Sequence, residues 1–176
     1  MVDVTDPRIA TLAGMYNPKK TTYATIECMD FGGFSSTNEK KQIFSPSELT
    51  LIKNSDALAL VLRNFDNDIL NETLGGPDPL ADLDTIMTEL IISDLIIAEN
   101  RMERIDHYIK RGAATPEMGL EKKALVKIIE CLNENKLIRA VDLSPDETRA
   151  MKGFQFLSLT PLMVLLNSDE KRFGNN

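Results

Sequence analysis

"PLMVLLNSDE", residues 161–170, decides how this chain folds. Leu162 to Leu166 are apolar without a break, and polar residues follow at once. A short apolar run between turn-forming residues suits a strand buried on both faces, as in a parallel sheet. "ALALVLRNF", residues 57–65, has the same character after Asp56. "TTYATIECMDF", residues 21–31, alternates and is rich in β-branched side chains, so it also reads as a strand.

Helical patterns lie between these strands. "PRIATLAGMY" begins at residue 7, with Asp6 as N-cap and Pro7 in the first turn. "SPSELTLIKNSD" carries Ser45 as cap, Pro46 behind it and Glu48 three residues on, a capping box. From Leu80 to Arg111 there is no Pro or Gly, and Ile91, Leu95, Ala98, Met102, Ile105 and Ile109 form one apolar stripe. A helix of about 30 residues would be about 45 Å long. "RGAATPEMG" breaks it, and a second helix over about Leu120 to Asn135 should pack on the first as an antiparallel hairpin. Ser144-Pro145-Asp146-Glu147 starts a third, shorter helix. The order strand, helix, strand, helical block, strand describes a mostly parallel α/β sheet with a helical insertion.

The 176 residues suit one domain or a domain with an insertion. A net charge of −7 argues against a dedicated nucleic-acid surface, because phosphate contacts need clustered Lys and Arg. No run reaches the roughly 18–20 apolar residues of a membrane span. The start has neither a basic segment nor an apolar core, so a secretory signal is not expected and a cytoplasmic location is. Cys28 and Cys131 are far apart and read as buried free thiols.

Two strand ends are polar: Asp30-Phe31-Gly32-Gly33 and Asn167-Ser168-Asp169-Glu170. Ligands of open parallel sheets bind at the carboxyl ends of strands. An Asp there can hold Mg²⁺ through water, and a Gly lets a backbone N–H approach a phosphate. An Asn can donate to a purine ring, and a nearby carboxylate can accept from it. "DFG" also marks a magnesium Asp in protein kinases, but nothing upstream resembles His-Arg-Asp, and that reading fails.

Together these motifs resemble the YchF/Obg-like family of P-loop GTPases. "DPRIATLAGMYNPKKTTYATIECMDFGG" is similar to the family's stretch from its second strand through the D-x-x-G motif. "DPLADLDTIMTELIISDLIIAENRMERI" resembles the start of its coiled-coil insertion. "PLMVLLNSDE" resembles its base-recognition strand, where N-x-x-E replaces the usual N-K-x-D. The resemblance implies a partial G domain at residues 1–76 and 159–176, with an inserted helical domain at residues 77–158. It implies Asp30 on the magnesium side and Gly33 as γ-phosphate sensor. Phe34 stands where many GTPases place a water-orienting Gln. Asn167 and Glu170 would contact the base, with ATP accepted as well as GTP. Mg²⁺ with GTP or ATP is the implied cofactor set, and a ribosome or protein partner would engage the helical hairpin.

The departures matter as much. No G-x-x-x-x-G-K-[ST] occurs, "SSTNEKKQIFS" replaces a glycine-rich switch, and Glu72 stands where the family usually has His. The one His, His107, reads as a half-exposed helix residue. The P-loop supplies most nucleotide affinity, so the chain alone is expected neither to bind nor to hydrolyse nucleotide. The alternative is a non-catalytic interaction module working through its hairpin. The first strand of the family sheet is missing too. The strands at residues 21–31 and 57–65 should therefore pair directly in a four-stranded sheet, or pair with a second copy in a strand-mediated homodimer.

Overall fold

The computed structural model describes residues 1–30 and 44–170. The chain divides into two compact units, residues 1–33 and 34–176.

In the first unit, strand β1 (Val2–Val4) pairs antiparallel with β2 (Ala24–Ile26), and helix α1 (Pro7–Tyr16) connects them. Asp6 caps α1 by accepting from the Arg8 backbone N–H at 2.8 Å. Asn17 closes it in the left-handed conformation (φ 44°) that Asn tolerates. The expected strand at residues 21–31 shrinks to three residues, because a strand extends only as far as its partner does. That partner is β1, so this ladder is antiparallel, not parallel. No side chain of α1 is buried.

In the second unit, helix α2 (Pro46–Lys53) has the capping box read from its sequence. The Ser45 hydroxyl accepts from the Glu48 N–H, and Glu48 accepts from the Ser45 N–H at 2.7 Å. Strand β3 (Leu58–Asn64) runs parallel to β4 (Leu162–Ser168), in register from Leu58 opposite Leu162 to Asn64 opposite Ser168. The described strands thus form two separate ladders, and the four-stranded re-paired sheet is not formed. Nor are β3 and β4 buried on both faces. Leu60 and Leu62 are buried, whereas Val61 is 59% exposed and Met163 56%.

Every regular element between β3 and β4 is helical. A short helix, α3 (Asp68–Leu74), follows β3 and had no visible period in the sequence. Helix α4 (Pro79–Lys110) has 32 residues, capped by Asp78 and closed by Gly112 at φ 71°, which only Gly adopts freely. Helix α5 (Pro116–Asn133) starts four residues before the expected Leu120, because Thr115 caps it and Pro116 takes the first position. Helix α6 (Pro145–Met151) has a second capping box, Ser144 with Glu147. Two 3₁₀ turns, Ile138–Ala140 and Leu157–Leu159, complete the block. Its core joins Ile91, Ala98 and Ile105 of α4 to Ala124, Leu125, Ile128 and Leu132 of α5, with Ile138, Met151 and Phe156 around them. The stripe read on α4 is therefore the packed face, except that Ile109 is 43% exposed near the tip. Arg101 to Glu121 (2.6 Å) and Lys122 to Asp106 (2.5 Å) tie the hairpin on its outside.

Candidate functional site

The parallel ladder ends in polar residues on both strands. Arg63 and Asn64 close β3, and Asn167 and Ser168 lie opposite them on β4. The Asn64 amide donates to the Ser168 hydroxyl at 2.9 Å. Arg63 donates to the Asn71 side chain at 3.1 Å and to the Gly75 carbonyl, so it pins the middle and the C-terminal end of α3 beside the strand. Asn167 and Glu170, the two expected base contacts, are both exposed at this edge. Strand pairing fixes the backbone of Asn167, while Glu170 follows two residues after the end of β4. Arg63, Asn64 and Asn71 were not singled out in the sequence. The available signal was the Arg-Asn that ends "ALALVLRN" in the same way that Asn-Ser ends "PLMVLLNS".

Asp30 is exposed after β2, in the other unit. Gly33 and Phe34 lie outside the described residues. Mg²⁺ at a nucleotide site takes one or two carboxylates, with waters and phosphates completing the octahedron. Asp30 fits one such place. No group of three His, Cys, Asp or Glu side chains forms a metal cage among the described residues.

The other titratable groups are structural. His107 is solvent-exposed on α4, 3.8 Å from Glu103. Both cysteines are free, but the expected burial is wrong: Cys28 is exposed and Cys131 half-buried, because the unit around Cys28 has no buried core. Burial pushes the Cys131 thiol up. Lys127, 2.8 Å from Glu147, holds that carboxyl low, helped by the Ser144 backbone N–H. Asp94 is the exception. It lies on the packed face of α4, fully buried, and accepts from the backbone N–H groups of Leu157 (2.8 Å) and Ser158 (2.7 Å). Burial pushes its carboxyl up, against the opposing pull of Ser158, Leu157 and Lys53. No helix among the described residues is long and apolar enough to cross a membrane.

A parallel ladder with polar strand ends, interrupted by a helical block between its two strands, is a partial P-loop GTPase fold. The structure of the YchF GTPase of Schizosaccharomyces pombe superposes with a TM-score of 0.73 at 28% identity, covering 98% of this chain and 47% of that one. Among curated proteins, the chain is 35% identical over its whole length to the ribosome-binding ATPase YchF of Haemophilus ducreyi, covering 48% of that protein. It is 30% identical to the Obg-like ATPase 1 of Schizosaccharomyces pombe, over 98% of this chain and 45% of that protein. No family model matches it. This chain belongs to the YchF/Obg-like family and spans about half the length of the curated relatives it matches.

Proposed function

We propose that this chain is the base-binding and helical-insertion section of a YchF-type GTP- or ATP-binding protein. Residues 1–76 and 159–176 contribute a partial G domain, and residues 77–158 are the inserted helical domain. By their motifs, Asn167 and Glu170 are assigned to the purine, and Asp30 and Gly33 of D-x-x-G to the γ-phosphate and its Mg²⁺. The observation that carries this reading is the β3–β4 edge. Asn167 and Ser168 are held in register against Arg63 and Asn64, with Glu170 just beyond. That arrangement presents an exposed amide and an exposed carboxylate at the strand end.

The phosphate-binding loop has no counterpart in the sequence, so affinity for the triphosphate is weak or absent in this chain, and hydrolysis with it. The uncovered apolar residues of the ladder support an incomplete sheet. Val61, Met163 and Leu165 are placed to be covered by further protein, either the rest of a G domain or a second copy pairing strand to strand. Relatives named ribosome-binding make a ribosomal partner in the cytoplasm the fitting one. A second reading, a non-catalytic interaction module, is favoured by the helical block's own continuous core.

Titration with fluorescent GTP and ATP analogues, with and without Mg²⁺, tests the proposal. The expected result is no saturable binding below millimolar nucleotide. Micromolar, magnesium-dependent binding would contradict the claimed weakness. Changes at Asn167 and Glu170 in NMR spectra at millimolar nucleotide would support the base contact.

A further inference from the structure

Asp94 has no place in the reading above, yet it is the costliest side chain in the helical block. A carboxylate fully removed from water is unfavourable unless its oxygens are satisfied. No ion-pair partner accompanies it among the described residues. What satisfies it is the turn itself: its two oxygens accept the consecutive backbone N–H groups of Leu157 and Ser158, one each, and the Ser158 hydroxyl adds a further hydrogen bond. Those residues open the 3₁₀ turn Leu157–Leu159, which has no side-chain cap of its own. Asp94 supplies that cap from more than sixty residues away.

The turn is the last structure before β4. Two further bonds hold the same tract to the helical block. The Ile138 N–H donates to the buried Ser158 hydroxyl at 3.4 Å, and Arg139 donates to the Thr160 carbonyl at 3.1 Å. The next carbonyl, that of Pro161, accepts the Leu58 N–H at 2.8 Å and begins the β3–β4 ladder. From there the strand runs in unbroken register to Asn167 and Ser168. The span from Leu162 to Asn167 is about 17 Å of extended chain.

We propose that Asp94 is a positioning residue for the base-binding end of β4. Two bonds from one rigid carboxylate fix both where the turn sits along α4 and which way it faces. The parallel ladder carries that placement to Asn167 and Ser168, two residues short of Glu170. The long helix of the insertion thus sets the start of the strand whose far end meets the base. This inference rests on the reading of Asn167 and Glu170 as base contacts, but its first test needs no nucleotide.

The experiment is residue-resolved hydrogen exchange on the full 176-residue chain, comparing wild type with Asp94→Asn and Asp94→Ala. Asn is close in shape, keeps one acceptor and loses the other. The proposal expects exchange at Leu157 and Ser158 to rise roughly tenfold in Asp94→Asn. The rise should continue through residues 162–168, with Leu125 and Ile128 in α5 unchanged. Asp94→Ala should show the same pattern, more strongly. A rise confined to Leu157 and Ser158 would overturn the proposal, since the strand would then be placed without Asp94. A uniform rise through α4 and α5 in Asp94→Asn would also overturn it, since the role would then be general stability. If Asp94→Ala does not fold, Asp94→Asn decides alone. If the local pattern appears while millimolar nucleotide leaves Asn167 and Glu170 unperturbed, the base-contact reading fails and the strand-placing role stands by itself.

Discussion

The helical block and the β3–β4 ladder both carry apolar stretches and treat them in opposite ways. In the block, Ile105, Ala124, Leu125 and Ile128 are wholly buried. In the ladder, Met163, Val164, Leu165 and Leu166 are between 41% and 56% exposed. The difference follows from where each element finds its hydrogen bonds. A helix satisfies its own backbone and needs only one partner face, which α4 and α5 provide for each other. A strand needs neighbours at both edges and cover on both faces, and a two-stranded ladder supplies neither. The block has a continuous core of its own, whereas the ladder, on the reading proposed, is a piece of a larger sheet.

The largest expected effect lies in the block. Leu125→Ala should cost about 2–5 kcal/mol in urea unfolding, because the cavity would open at a site with no exposure. Val61→Ala in the ladder, at 59% exposure, should stay within about 0.5 kcal/mol. Equal losses would erase the contrast. Asp94→Ala comes next: it strands two buried N–H groups, a local cost of about 1–3 kcal/mol that should appear as faster exchange at Leu157 and Ser158 and along β4, not as lower stability of the helical core.

Two carboxyls of the block sharpen the comparison through pH, with opposite signs. Lys127 and the Ser144 N–H depress Glu147 in the folded state. Its stabilisation is therefore present above the ordinary carboxylate pKa and is lost as pH falls through the lower folded value. Asp94 is raised by burial, with Lys53, Ser158 and Leu157 pulling the other way. The folded state then binds the extra proton between the ordinary and the raised value, so its contribution declines as pH rises through that window. Urea unfolding across the acidic range should show Glu147→Gln losing less stability than wild type on acidification. Asp94→Asn should lose the decline that wild type shows on leaving acid. The smallest effect is the Arg101–Glu121 pair on the hairpin's flank, whose double-mutant coupling should be about 0.2–1 kcal/mol.

Local signals were read well where one residue decides. Asp6, Ser45 and Ser144 cap the helices assigned to them, and the absence of Pro and Gly from Leu80 to Arg111 marked α4 to within one residue at each end. The same cap-and-proline rule applied to Thr115-Pro116 would have started α5 correctly. Pairing was less legible. Nothing in Val2-Asp3-Val4 announces a strand until Ala24–Ile26 is set against it, and the burial of β3 and β4 depends on neighbours that no run of apolar residues can guarantee. The polar end of β4 at Asn167 and Ser168 was legible in the sequence, while Asn64 became visible only through its bond to Ser168. Asp94 was within reach: it sits three residues after Ile91 and four before Ala98, a charge on an apolar stripe.

The most direct test of the contrast is native-state hydrogen exchange across the whole wild-type chain. The account predicts the slowest amides in the middle of α4 and α5, around Ile105 and Leu125, and exchange faster by orders of magnitude through β3 and β4. Ladder amides that exchange as slowly as those of the helical core would contradict it, and would mean that the two strands complete their fold without any further chain.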